Sequence, residues 1–408
     1  MMTGPSFRQT ALAVLLIAGL GPTTGPAQTI RDRFTPAWAP VKEFFHRTLN
    51  DEGVVGGSMI FFHGDTVLAQ EFHGLADLAT NRAVDERTIY HWASITKTFT
   101  SIAVMQLRDR RRLGLDDPAL QYVPELRAVH NPFGPMEAIT LRMLMSHSAG
   151  FRNGTWPWGG DKPWHPHEPV AWSQLVAMMP YTEILFQPGT KFSYSNPGVI
   201  FLGRTIEALT GEDYETYIEK NLFRPLGMSS SYFDLTPYHL LPFRSNNYDI
   251  GTGGPVANGL DFDTGITVSN GGLNAPITDL VKYLQFLVGA PGVPAAGRGV
   301  LARASLEEMW KPLLPLGGPE GGSIGLAYFL LERKGLNLVG HTGSQKAFRS
   351  FFYIDPVSKA GVVAVFNTAP TDDPRNPTDQ GPGKPRIGVL FSGLLGRLTD
   401  GVFPIYRQ

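Results

Sequence analysis

Strand-like patterns occupy the two ends of this chain and helix-like patterns fill its middle, and that order restricts the fold more than any other feature. Between Gly56 and Asp77 two apolar runs flank His63-Gly64-Asp65, the signature of a β-hairpin. Further strands are expected at about 326–331, 336–340, 347–354 and 361–367. Lys334-Gly335, the Gly343 region and Asp355-Pro356 break them into an antiparallel meander. Between these regions, helical periodicity covers about 94–112, 140–146, 172–179, 197–210, 213–220 and 278–288. Strands, then helices, then strands predict an α/β (α+β) fold. In it, one antiparallel sheet is built from both chain ends and flanked by helices, with a mostly helical subdomain, about 113–265, inserted in it.

Composition narrows the class of function. With 408 residues, 42% hydrophobic and 17% charged, the chain can bury a substantial core. A formal net charge of −1 leaves no electrostatic footprint for nucleic acid or an anionic membrane, and neither is expected as a partner. Cysteine is absent, which removes disulfides, thiol nucleophiles and Cys-based metal sites. His165 and His167 have no third ligand in view, and no phosphate-binding pattern occurs, so neither metal nor cofactor is expected.

Arg8, the apolar run from Ala11 to Leu20 and the small residues Gly25 and Ala27, at −3 and −1 if cleavage follows Ala27, read as a secretory signal peptide over residues 1–27, the alternative being an uncleaved membrane anchor. The expected mature protein, 28–408, is then secreted or periplasmic. Two long loops, Asn153 to Pro169 and Asn246 to Asp263, are expected to wall a cleft. The Trp-rich part of the first, 155–168, reads either as an aromatic wall for an apolar acyl group or as a self-packed surface loop.

Ser94-Ile95-Thr96-Lys97 carries the chemistry. A serine hydroxyl needs a neighbour to take its proton, and a lysine three positions along a helix shares its face. The expected helix begins at Ser94, which would leave the Ser94 N–H available to an oxyanion. A Ser and Lys so spaced arise about once by chance in a chain of this length, so their setting must decide.

Five segments follow in order. Leu141-Arg142-Met143-Leu144-Met145-Ser146-His147-Ser148-Ala149-Gly150 precedes Tyr194-Ser195-Asn196, then Pro225-Leu226-Gly227-Met228 and Gly271-Gly272-Leu273. His341-Thr342-Gly343-Ser344 completes the set. Together with the first motif they resemble the serine β-lactamase and penicillin-binding-protein superfamily, in particular its class C β-lactamase, D-alanyl-D-alanine carboxypeptidase and family VIII esterase branch. The resemblance implies that Ser94 is the acylated nucleophile, that Lys97 is its partner and that Tyr194 shuttles protons. It further implies that Asn196 orients substrate and lysine, that His341, Thr342 and Gly343 line the substrate, and that the Ser94 and Ser344 N–H groups form the oxyanion hole.

Lys97 and Tyr194 both titrate near 10 when free, so in a dry cleft they form a coupled pair of which either member could be the base. Apart from catalysis, Asn196 before Pro197 also reads as a helix N-cap, and His147 as a structural hydrogen-bonding residue. The expected function is an exported serine hydrolase acting on an ester or amide bond of a small molecule or peptide. Esterase, D-amino-acid peptidase and β-lactamase-like activity all fit, and the alternative is a penicillin-binding sensor that acylates without turnover. His341 stands where most β-lactamases carry lysine, which tilts the expectation toward esters or D-amino-acid peptides.

Overall fold

The computed structural model describes, besides Met1, residues 30–154, 169–251, 253–260, 263–317, 321–369 and 387–407. The expected signal peptide and the Trp-rich segment 155–168 lie outside the described residues.

A long helix, α1 (Ile30–Asp51), leads into the hairpin β1 (Gly56–His63) and β2 (Thr66–Asp77), followed by the short β3 (Arg82–Ala83). Near the other end come β4 (Leu314–Pro315), β5 (Ser323–Ile324), β6 (Phe329–Arg333), β7 (Leu336–Gln345), β8 (Phe348–Asp355) and β9 (Ala360–Phe366). They form one nine-stranded sheet in the order β3-β2-β1-β9-β8-β7-β6-β5-β4. All described pairings are antiparallel. The joint between the two chain ends is β1 against β9, from Gly57 opposite Phe366 to His63 opposite Ala360.

Because strand side chains alternate between faces, each central strand feeds two cores. Ile60, Phe62, Phe352, Val363 and Val365 face a cluster that includes Phe99 of α2 (Thr96–Asp109). The same cluster takes in Ile200 of α3 (Asn196–Thr210) and Tyr283 of α4 (Ile277–Val288). Met59, Phe61, Phe351, Val362 and Phe366 face the opposite way, against Trp38 and Phe45 of α1 and Leu394 and Leu395 of α5 (Ile387–Arg397). Each such side chain removed from water contributes about 1.5–3 kcal/mol before entropy is counted.

Several expectations are corrected in detail. The strand expected at 326–331 begins only at Phe329, because Ala327 is left-handed (φ 65°) and its N–H donates to the Met145 carbonyl. Gly343 does not break a strand, since β7 runs through it to Gln345 and the turn comes at Lys346 (φ 46°). Ser94 does not open an α-helix but lies in a 3-10 turn, Ala93–Ile95, that precedes α2. The cap of α3 is Ser195, whose Oγ accepts from the Gly198 N–H at 3.1 Å, so Asn196 is the first helical residue and not the N-cap. The expected loop 246–263 holds a short hairpin, Tyr248–Gly251 with Gly254–Ala257. Among the helices that escaped the sequence reading are α1, which carries Pro36 and Pro40, and α5.

Strand β6 pairs with β7 only as far as Phe329 opposite Gly340. From His341 to Gln345, β7 is paired through β8 alone among the described strands. That half of β7 turns its other edge toward the start of α2.

Candidate active site

A small second sheet fixes the nucleophile turn. Ile89–His91 pairs with Leu273–Pro276, the Trp92 N–H donates to the Leu273 carbonyl at 2.8 Å, and the Trp92 indole donates to the Ala275 carbonyl at 2.8 Å. Ala93 then adopts φ 50°, a conformation uncommon outside glycine, and the chain turns to expose Ser94 beside β7. Gly343 permits that closeness, since a Cβ there would stand 2.3 Å from the Trp92 carbonyl oxygen and from Ser350 Oγ. The Ser94 and Ser344 segments are thereby held against each other.

Lys97 is the second residue of α2 and is fully buried. Its Nζ is 3.0 Å from Ser94 Oγ and 2.7 Å from the main-chain oxygen of Asn270. Burial pushes its amine well below the ordinary lysine range. An amine that is neutral at rest donates one hydrogen to the Asn270 carbonyl and presents its lone pair to the Ser94 hydroxyl. Asn270 was missed in the sequence; the signal available was its place just before Gly271-Gly272-Leu273, on a short buried helix, Val268–Gly271.

Tyr194 covers the pair, with Lys97 Nζ 5.0 Å from its ring centre. Burial raises its phenol above the ordinary value, while a hydrogen bond with Ser94 acts in the opposite sense. Burial thus disfavours the charged form of both members of the pair.

His147, also buried, stacks on Tyr194 with ring centres 4.4 Å apart. Its carbonyl accepts from the Ser193 N–H at 2.8 Å and its Nδ1 from the Ser195 N–H at 3.2 Å. The structural part expected of His147 is to grip the chain on both sides of Tyr194. Because Nδ1 accepts, the ring proton lies on Nε2. Burial, then Lys97 and His341, hold its pKa well below the usual value, so it stays neutral.

His341 is fully buried and stacks on Phe329 at 4.6 Å, with the Tyr194 ring 6.3 Å away. Its Nδ1 donates to the Thr342 carbonyl at 2.6 Å. Burial, with Lys97 as the second cause, pushes its pKa down to about 3. His341 is therefore a neutral part of the site's inner wall and no substitute for a lysine cation. Thr342 is partly exposed and Ser344 exposed, both on the half of β7 that lacks a second strand.

Asn196 is drawn elsewhere. Its amide is 3.4 Å from Asn153 Oδ1, its N–H donates to the Asn153 carbonyl at 3.1 Å, and the second bond of Lys97 goes to Asn270. The structure thus brings together Ser94, Lys97, Tyr194 and the His341–Ser344 strand, and sets the Asn196 side chain beside Asn153. No cluster of three or more potential metal ligands occurs among the described residues.

The sequence model of the family described as Beta-lactamase matches residues 31–381. The chain belongs to the β-lactamase family. Among curated relatives of this family member, "Protein flp" of Staphylococcus aureus (strain COL) is 24% identical over 315 residues, 77% of this chain and 60% of its own. The chain thus spans about 60% of the length of that relative. An octameric penicillin-binding protein homologue from Pyrococcus abyssi superposes with a TM-score of 0.72 at 26% identity, covering 90% of this chain and 80% of the other. A class C β-lactamase superposes with a TM-score of 0.69 at 20% identity, over 85% of this chain and 95% of the other, a likeness of fold.

Proposed function

We propose that this β-lactamase-family chain is an exported serine hydrolase that cleaves ester or amide bonds through an acyl-enzyme on Ser94. The observation that carries the reading is the fully buried Lys97 amine 3.0 Å from Ser94 Oγ, where burial favours its neutral form. As Ser94 Oγ attacks the carbonyl carbon, its proton passes to Nζ and the carbonyl oxygen becomes an oxyanion, met by the Ser94 and Ser344 N–H groups. The new ammonium is unstable in so dry a place, and it passes its proton through the Tyr194 hydroxyl to the departing oxygen or nitrogen. The alcohol or amine leaves, an acyl-Ser94 ester remains, and water attacking under the same base yields the acid and restores the serine.

Asn196, Thr342 and Gly343 belong to the substrate-binding side in this reading. With His341 neutral, that position supplies no cation for a β-lactam carboxylate, which favours uncharged esters or D-amino-acid peptides. Export rests on the residues 1–27 leader, with 28–408 as the mature hydrolase and its helical part at about 113–265.

The test exposes purified protein and its Ser94→Ala variant to a fluorescent fluorophosphonate, p-nitrophenyl butyrate, nitrocefin and a D-Ala-D-Ala peptide. Ser94-dependent labelling with turnover is expected. Labelling without turnover of any substrate would instead mark an acylating sensor, and labelling retained by Ser94→Ala would overturn the mechanism.

A further inference from the structure

An apolar cavity of about 470 Å³ opens beside the catalytic group, with Tyr194 and Thr342 among its walls. From there it passes Phe192 and Phe329 and ends on the far face of the sheet, against Phe391 and Leu395 of α5. Phe351 and Phe391 meet edge to face at 4.8 Å and make its floor firm. Among the described residues no charged side chain lines it, and the polar side-chain groups on its walls are hydroxyls, among them that of the exposed Ser392. Its volume falls in the range of small-molecule sites, and its chemistry suits a chain of methylenes or a ring, not a carboxylate.

We infer that this cavity holds an apolar alcohol portion of the substrate, so that the preferred substrates are esters of uncharged, hydrophobic alcohols. The inference rests on the proposed hydrolase reading at one point: Tyr194 hands its proton to the departing oxygen. The group attached to that oxygen lies on the Tyr194 side of the scissile bond, and the cavity begins at Tyr194. The acyl portion stays on the other side, along the open edge of β7.

Each methylene withdrawn from water is worth up to about four-fold in affinity. Hydrolysis of methyl, butyl and hexyl butyrate, followed by proton release, is expected to rise in kcat/KM by at least about 30-fold from methyl to hexyl. Lengthening the acyl side from methyl acetate to methyl hexanoate is expected to gain under three-fold, an estimate of the order of one partly buried methylene. Ser392→Trp, at an exposed helix position, places an indole in the cavity and should bring kcat/KM for hexyl butyrate down to the level of methyl butyrate in the same variant. A flat alcohol series, a gain confined to the acyl series, or a hexyl advantage surviving Ser392→Trp would each overturn the inference. Calorimetric binding of 1-hexanol to Ser94→Ala, lost on adding Ser392→Trp, reads the cavity without catalysis. Hexanol binding without ester turnover would sink the hydrolase reading and the alcohol assignment while leaving an apolar site. Turnover with no hexanol binding would sink the cavity assignment alone.

Discussion

His147 lies stacked on Tyr194 at an interplanar angle of 29°, while its own Nδ1 accepts from the N–H of the next residue, Ser195. Ring and backbone are thus held by one imidazole that stays neutral. Tyr194→Phe should keep the fold, with the melting temperature within about 3 °C, and lower kcat by roughly 10²–10⁴-fold, the usual worth of a positioned proton carrier. His147→Ala should also lower kcat, with a larger loss of stability, because a buried cavity opens beneath the ring. Steady-state kinetics and thermal melts on the two variants separate these outcomes.

The buried Lys97 amine makes a second prediction, on stability against pH. Its pKa is depressed in the folded state, so between the folded and unfolded values the unfolded chain binds a proton that the native chain does not. Stability contributed by this group therefore rises with pH, by at most about 1.4 kcal/mol per unit, until the unfolded lysine itself titrates near 10.4. Urea unfolding at pH 7 and pH 9 should show that gain in the wild type and not in Lys97→Met. The same variant should lose fluorophosphonate labelling.

Acid acts through buried histidines. His91 and His341 are held down to about 4 and about 3, in both cases chiefly by burial. Unfolded histidines take up protons near 6.5, so stability present above that value is lost as pH falls, levelling off only at the folded pKa values. A drop from pH 7 to pH 4.5 should destabilise the wild type by several kcal/mol, and His341→Gln by a few kcal/mol less. Chemical denaturation at the two values measures the difference.

Gly343→Ala tests how tightly β7 must approach the nucleophile turn. The new methyl would collide with the Trp92 carbonyl, which is backbone and can yield only if the strand or the turn moves. A stability loss of about 1–3 kcal/mol is expected, with labelling of Ser94 slowed at least ten-fold as the two oxyanion donors separate. Labelling at the wild-type rate would show that the close approach is not needed.

Much of this was legible in the chain because period-two and period-3.6 patterns are local. The hairpin around His63-Gly64-Asp65 and the helix carrying Lys97 fall where alternation and apolar spacing put them. What local pattern conceals is long-range. The two prolines of α1 read as breakers, yet the helix persists because its apolar face docks on Phe61 and Phe366. Gly343 reads as a break until the Trp92 carbonyl is found beneath it. Asn270 acts through its main chain, which leaves no mark on the choice of side chain, and the Asn196 partner, Asn153, comes from a distant loop.

The seam between β1 and β9 also governs how the protein can come to be folded. Val55 donates to Thr368 Oγ1 across 313 positions of sequence, and the whole centre of the sheet depends on such pairs. A chain released from the ribosome up to the middle of the helical region has three of the nine strands and no β9 to pair with β1. Loop closure over this distance precedes the reward of pairing, so folding should be slow. Until the final strands arrive, the incomplete chain has no means of closing the centre of its sheet.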